Sequence, residues 1–218
     1  MLGDGMADNE IAVLGKKTPL EAADKPCMND LASHGSNGLV ETVPEGMVPE
    51  SDTANLAVMG YDPRVYSKGR SPLEAASMGI EMQDNETAIR ANIVALGGNG
   101  DYEDLIMLDH SSDEIPTEEA RILIEAVQEK FGNDERHFYT GVSYRYCLIR
   151  KNGNDTYPFM RPHDILGKRI GEYLPRVEDG GEEFLNLMKE SFEILNHHPV
   201  NEARRARGLK PANSAWFW

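Results

Sequence analysis

The chain has 218 residues, 40% of them hydrophobic, with 37 acidic against 22 basic side chains and a formal net charge of −15. That is enough apolar material for one large cored domain or two small ones. So acidic a chain repels phosphate backbones and anionic lipid heads, which argues against nucleic acid and membrane partners but not against a small anion held by a few converging arginines.

In chain order, residues 1–80 are rich in Gly, Pro, Asp and small side chains and read as short helices and strand ends joined by tight turns. Pro26 opens a short helix that Gly35 closes, and Ser51 to Val58 forms another, capped by Ser51 and stopped by Gly60. The texture then changes. Ala88 to Leu96 reads as a strand ending in Gly97-Gly98. Thr117 to Phe131 is an amphipathic helix with Ala120, Leu123, Ile124, Val127 and Phe131 on one face. His137 to Arg150 alternates as a strand, with a hairpin turn offered by Asn152-Gly153. Glu182 to His197 is a second long helix, with Phe184, Leu187, Met188, Ser191 and Leu195 on its apolar face. Strand, helix, strand, strand, helix is the order of an α+β layer domain. The last segment, 201–218, is basic and then aromatic. Three bulky aromatics at the end read first as a chain cut in mid-structure, with docking on the chain's own core as the alternative.

Cys27 and Cys147 stand far apart in no metal-ligand spacing, so reduced thiols are expected. No run of roughly 18 apolar residues offers a membrane span. The start MLGDGMADNE lacks a signal-peptide pattern, and a cytoplasmic protein is expected.

Three groups of residues can carry chemistry. Asp4, between Gly3 and Gly5, can reach a hard cation unhindered, although a plain Asp-Gly turn is by itself the commoner explanation. Ser51 opens a helix, where the dipole stabilises an alkoxide and free N–H groups hold a phosphoryl group; a simple cap is the alternative. Arg70, Arg90, Arg145, Arg204, Arg205 and Arg207 sit in unusual settings, and guanidinium forks suit carboxylate and phosphate. Each one alone is as readily an ion-paired surface arginine. Asp109-His110 and His163-Asp164 are the Asp/His neighbours, and His163 is retained as a substrate-side candidate.

The blocks LGDGMAD, KTPLEAA, GLVETVPEGM, ESDTANLAVMGYDP, GRSPLEAASMGI, GVSYRY, RPHDILGK and HPVNEARRARGLKPANSAWFW follow in this order. Together they resemble the archaeal-type, 2,3-bisphosphoglycerate-independent phosphoglycerate mutases of the alkaline phosphatase superfamily, over nearly the whole chain. The resemblance implies an α/β fold: part of a phosphatase-like core in 1–85, an inserted α+β domain in 86–200 and a return segment in 201–218. It implies interconversion of 3-phosphoglycerate and 2-phosphoglycerate in glycolysis and gluconeogenesis, through a phosphoserine. Two divalent ions, Mn²⁺ or Mg²⁺, would take part, and 2,3-bisphosphoglycerate would not. Asp4 and Ser51 map to metal ligands and Ser51 to the nucleophile. Arg70, Arg90, Arg145, Arg204, Arg207 and His163 map to the substrate side. A homo-oligomer is compatible with this reading.

Family members run to about twice a single domain's usual length. The half not seen here would bring further Asp and His ligands, so this chain by itself is expected to be inactive. Two other readings stay open. One is a related phosphotransferase, such as a kinase of a small hydroxy amino acid. The other is a non-catalytic folded domain.

Overall fold

The computed structural model describes Gly3 and residues 6–67, 69–153 and 157–218. Among the described residues, five α-helices precede the sheet: α1 (Pro19–Ala22), α2 (Pro26–His34), α3 (Ser51–Val58), α4 (Pro63–Tyr66) and α5 (Arg70–Ser77). Proline at the first helical position starts α1, α2 and α4, since its missing N–H would have had no partner there. Glu50, not Ser51, occupies the N-cap of α3, and Ser51 is the first residue inside the helix. Extended backbone at Glu50 lets its carbonyl accept the first helical bond, from the Ala54 N–H at 3.1 Å.

Little of this first part is buried. Among the described residues before the sheet, only Asp52, Thr53, Pro63 and Ala75 are buried, while Val13, Leu31, Leu39 and Val40 stand almost fully exposed.

The rest is one mixed α/β body with an antiparallel sheet. The 12-residue strand β1 (Glu86–Gly97) is its spine. It pairs with β2 (Ile106–Asp109) near its end, with β4 (Arg145–Lys151) along Glu86–Asn92 and with β5 (Ser214–Phe217) along Ala91–Val94. Strand β3 (Arg136–Thr140) adds to β4. Alternation along β1 sends Ile89, Ala91 and Ile93 into the main core with Tyr146 and Leu148 of β4. There they meet α6 (Thr117–Phe131) through Leu123, Ile124 and Val127, and α7 (Glu182–Leu195) through Phe184, Leu187 and Met188. Each fully buried aliphatic or phenyl side chain of this kind is worth ~1.5–3 kcal/mol. On the opposite face Ala88, Cys147 and Ile149 pack on Ala75 of α5.

The stretch 137–150 is two strands, not one. The chain reverses at 141–144, where Ser143 takes φ +58° and the Gly141 N–H donates to Arg145 O at 3.1 Å. The Asn152-Gly153 signal is a turn after β4, not the hairpin that joins the strands. Of the two readings of the aromatic terminus, docking on the chain's own core describes what is seen. After α8 (Pro199–Ala206), Ser214–Phe217 enters the sheet, with Trp216 and Phe217 fully buried.

Candidate functional site

The sheet face that carries α5 is where the chemistry collects. Period-two alternation places Arg90 and Asn92 on this face, because Ile89, Ala91 and Ile93 fill the other. A cleft of about 320 Å³ opens above them, lined by Glu50, Arg70, Ser71, Arg90, Arg161 and His163, with Tyr157, Phe159 and Trp218 as aromatic walls.

Arg90 is 7% exposed. Its Nε donates to Glu74 Oε2 at 2.5 Å, and its guanidinium carbon lies 3.7 Å over the Trp218 ring. Its terminal nitrogens make no hydrogen bond among the described residues. Burial pulls its pKa below the ordinary arginine value, against the pull of Glu74 and with repulsion from Arg70 and Arg145 adding to the fall. The group stays protonated, since arginine is charged at any working pH. A buried cation with unused donors, next to two more cations, is stabilised by an incoming anion.

Arg70 is the first residue of α5 and makes no hydrogen bond or ion pair among the described residues. Gly69 before it sits at φ +87°, in the left-handed region that suits glycine, and supplies no side chain to cap the helix. No acidic residue occupies the first turn. The N–H groups of that turn therefore lack a side-chain cap beside Arg70 and Ser71.

Ser51 is exposed at the start of α3, directly after the cleft residue Glu50, and its hydroxyl makes no hydrogen bond among the described residues. Arg161 donates to the Glu50 carboxylate across the cleft. His163 stands edge-on to Trp218, with ring centroids 5.2 Å apart, and 5.9 Å from the His110 ring. Burial lowers the His163 pKa, Asp164 opposes that, and the neighbouring cations reinforce it. Arg145 pairs across the sheet with Asn92 and lies over Tyr144, 5.0 Å from its centroid, in an adjoining hollow with Glu74 and Met78. It reaches Arg90 electrostatically but does not line the same cleft.

Arg204 and Arg207 lie elsewhere. Arg204 is 1% exposed and gives its donors to Glu119 Oε2 at 2.6 Å, Ser112 O at 2.5 Å and Lys210 O at 2.9 Å. Arg207 donates to the other Glu119 oxygen at 2.6 Å. Both close the junction of α6 and α8, and all three guanidinium nitrogens of Arg204 already donate within the chain. Lys210 completes the same corner through Asp109 and Asp113.

Asp4 lies outside the described residues. Among the described residues no three His, Cys, Asp or Glu side chains converge to hold a metal ion. Ser51 is the sole described member of the expected ligand pair, and one hydroxyl is a weak ligand by itself. These residues do not make a two-ion site, and no chemical step is derived through one.

Residues 32–201 match the sequence pattern of the 2,3-bisphosphoglycerate-independent phosphoglycerate mutases. The chain belongs to this family. Its archaeal-type character shows in a mutase of that description from Methanosarcina barkeri, 47% identical over all of this chain and 53% of the relative. Among solved structures, a protein from Pyrococcus horikoshii matches with a TM-score of 0.68 at 26% identity, over 99% of this chain and 48% of its own. A cofactor-independent phosphoglycerate mutase from Thermoplasma acidophilum matches with 0.51 at 27%, over 98% and 55%. The chain spans about half the length of the curated relatives it matches. As its name says, the mutase family does not depend on 2,3-bisphosphoglycerate. No helix among the described residues is long and apolar enough to cross a membrane.

Glu50, Arg161 and Trp218, which line the cleft, and Glu74, which holds Arg90 from the adjoining hollow, are not singled out by the sequence reading. Glu50 and Glu74 stand inside the ESDTANL and GRSPLEA blocks, and Arg161 is two residues before His163 in RPHD. Proximity to a singled-out residue was the available signal for those three. Trp218 had none, since its place depends on β5 joining β1.

Proposed function

We propose that this chain is the nucleophile-bearing and substrate-gripping half of an enzyme that interconverts 3-phosphoglycerate and 2-phosphoglycerate. The observation that carries the reading is Arg90: buried, its terminal donors unused among the described residues, in one cleft with Arg70, Arg161 and His163 and directly beside the segment that presents Ser51. Phosphoglycerate has two anionic ends, and three guanidinium groups in one cleft suit a dianionic phosphoryl group and a carboxylate. The phosphoryl group sits at the α5 N-terminus, between Arg70 and Arg90. Ser51 Oγ attacks phosphorus in line, the bond from phosphorus to the substrate oxygen breaks, and the proton given up by Ser51 goes to that oxygen. The glycerate turns within the cleft, and its other hydroxyl oxygen attacks phosphorus as the bond to Ser51 Oγ breaks, its proton returning to Ser51 Oγ. Water must be excluded meanwhile, a task for the aromatic walls.

The two divalent ions of the family reading, and Asp4 as ligand to one, belong to this proposal. Their remaining ligands come from outside the residues described. Domain limits at 85 and 200, a cytoplasmic setting and a role in glycolysis and gluconeogenesis rest on the same reading.

The test is conversion of 3-phosphoglycerate in Mn²⁺ by this chain and by the same chain joined to the remaining half of the Methanosarcina barkeri relative, each beside its Ser51→Ala variant. Conversion by the joined form that Ser51→Ala abolishes supports the reading. A joined form that folds and binds phosphate but leaves 3-phosphoglycerate unchanged overturns it.

A further inference from the structure

We propose that Trp218 is a positioning residue of the anion cleft, its indole face setting the plane of the Arg90 guanidinium and its ring packing against His163. The inference rests on the anion-binding reading above and adds to it a residue that touches no reacting atom.

Arg90 is held on two sides. Glu74 takes its Nε–H, and the Trp218 ring lies 3.7 Å from its guanidinium carbon. A guanidinium stacked on an indole keeps its own plane parallel to the ring, so its terminal N–H groups point outward along that plane. Glu74 occupies the Nε side, which leaves the terminal pair for the cleft. Without the indole, one carboxylate contact would leave Arg90 free to rotate about its Nε.

Trp218 is itself fixed. Its backbone N–H donates to Arg90 O at 2.9 Å, continuing the ladder beyond β5. Its Nε1–H donates to Asn92 Oδ1 at 2.9 Å, and Asn92 Nδ2 donates to His110 O at 3.0 Å. Asn92 is 1% exposed, so this relay is shielded from competing water. The indole and the His163 ring meet in a T-shaped contact at 80° between ring planes. Trp218, with Ser71, Tyr157 and Phe159, lines both the anion cleft and a neighbouring hollow of about 370 Å³. One ring thus contacts two cleft side chains, Arg90 and His163, and its own orientation is anchored outside the cleft.

The experiment uses this chain with orthophosphate and with 3-phosphoglycerate, read by calorimetry and by the indole N–H resonance that disappears in W218F. In the unsubstituted chain that resonance should move with ligand at the midpoint calorimetry gives. Trp218→Leu should weaken both ligands about tenfold, the loss of a partly desolvated cation–π contact. Trp218→Phe keeps a ring face and should stay within about threefold; this rescue is not expected of a residue that only fills space. If the unsubstituted chain binds and the indole resonance does not move, or Trp218→Leu binds as well, the positioning role fails while the cleft reading stands. If the unsubstituted chain binds neither ligand, both fall. Should Trp218→Leu not fold, the indole titration alone decides.

Discussion

The guanidinium of Arg161 is bound to the carboxylate of Glu50, 111 residues away in the chain. The pair ties the loop that carries His163 to the residue that precedes Ser51, and it occupies one of the three cleft arginines. An arriving phosphoryl group must compete with Glu50 for Arg161.

Removing the competitor should therefore help binding. Glu50→Gln is expected to raise orthophosphate affinity about two- to fivefold, the scale of a partly exposed ion pair worth up to ~1 kcal/mol. Arg161→Ala should lower it about tenfold. Calorimetry at fixed ionic strength checks both, and equal affinities across the three proteins would remove Arg161 from the site.

Arg204 and Arg207 should behave as structural residues. Arg204→Ala leaves Glu119 Oε2 and two carbonyls without their donor while Arg207 still holds the other Glu119 oxygen, and a loss of ~2–3 kcal/mol in urea unfolding is expected. Arg207 is about half exposed, and Arg207→Ala should cost no more than ~1 kcal/mol. Neither change should alter phosphate affinity in protein that remains folded. A tenfold loss of affinity in folded Arg207→Ala would put that arginine back on the substrate side.

Asp109 gives the acid limb a definite sign. Burial alone would raise its carboxyl. Hydrogen bonds from Lys210, from the Ser111 and Asp113 backbone N–H groups and from the Ser111 hydroxyl hold it well below the usual carboxylate range instead. A folded pKa below the unfolded value of about 3.9 stabilises the fold above that pH, and the stabilisation is lost as pH falls further. Asp109→Asn should cost ~1–3 kcal/mol at neutral pH. The difference from the parent chain should shrink as pH drops below about 4. Urea unfolding at a series of pH values measures this, and a constant difference would show that Asp109 is not charge-coupled to the corner.

The two thiols should react differently. Cys27 is exposed on α2, while Cys147 is fully buried in β4 and burial pushes its thiol up to about 12. Alkylation of the native chain is expected at Cys27 alone, with Cys147 reacting only after unfolding. Mass spectrometry of peptides labelled before and after urea addition distinguishes the two, and native labelling of Cys147 would mean that the α5 face opens without global unfolding.

Much of the local structure was legible without coordinates. Thr117–Phe131 and Ser51–Val58 are helices over the read bounds, because their polar and apolar positions repeat with the helical period and their ends carry recognisable stop signals. The blocks around Ser51 and Arg70 were enough to point to the mutase family, which the comparisons then bore out. The turn at 141–144 was not legible, since Val142 and Tyr144 continue an alternating pattern through it and only Ser143 takes a left-handed backbone. Nor was the fate of the arginines. Arg90 and Arg204 are both almost fully buried, and local sequence does not say which one is satisfied. That was decided by groups brought in from far along the chain: Glu119, 85 residues from Arg204, and Ser112 O accept from its two terminal nitrogens, whereas the Trp218 ring lies over Arg90 without accepting a hydrogen bond from it. Periodicity reports which face a residue occupies; whether its donors are left for a ligand depends on non-local partners, and only the tertiary structure supplies those.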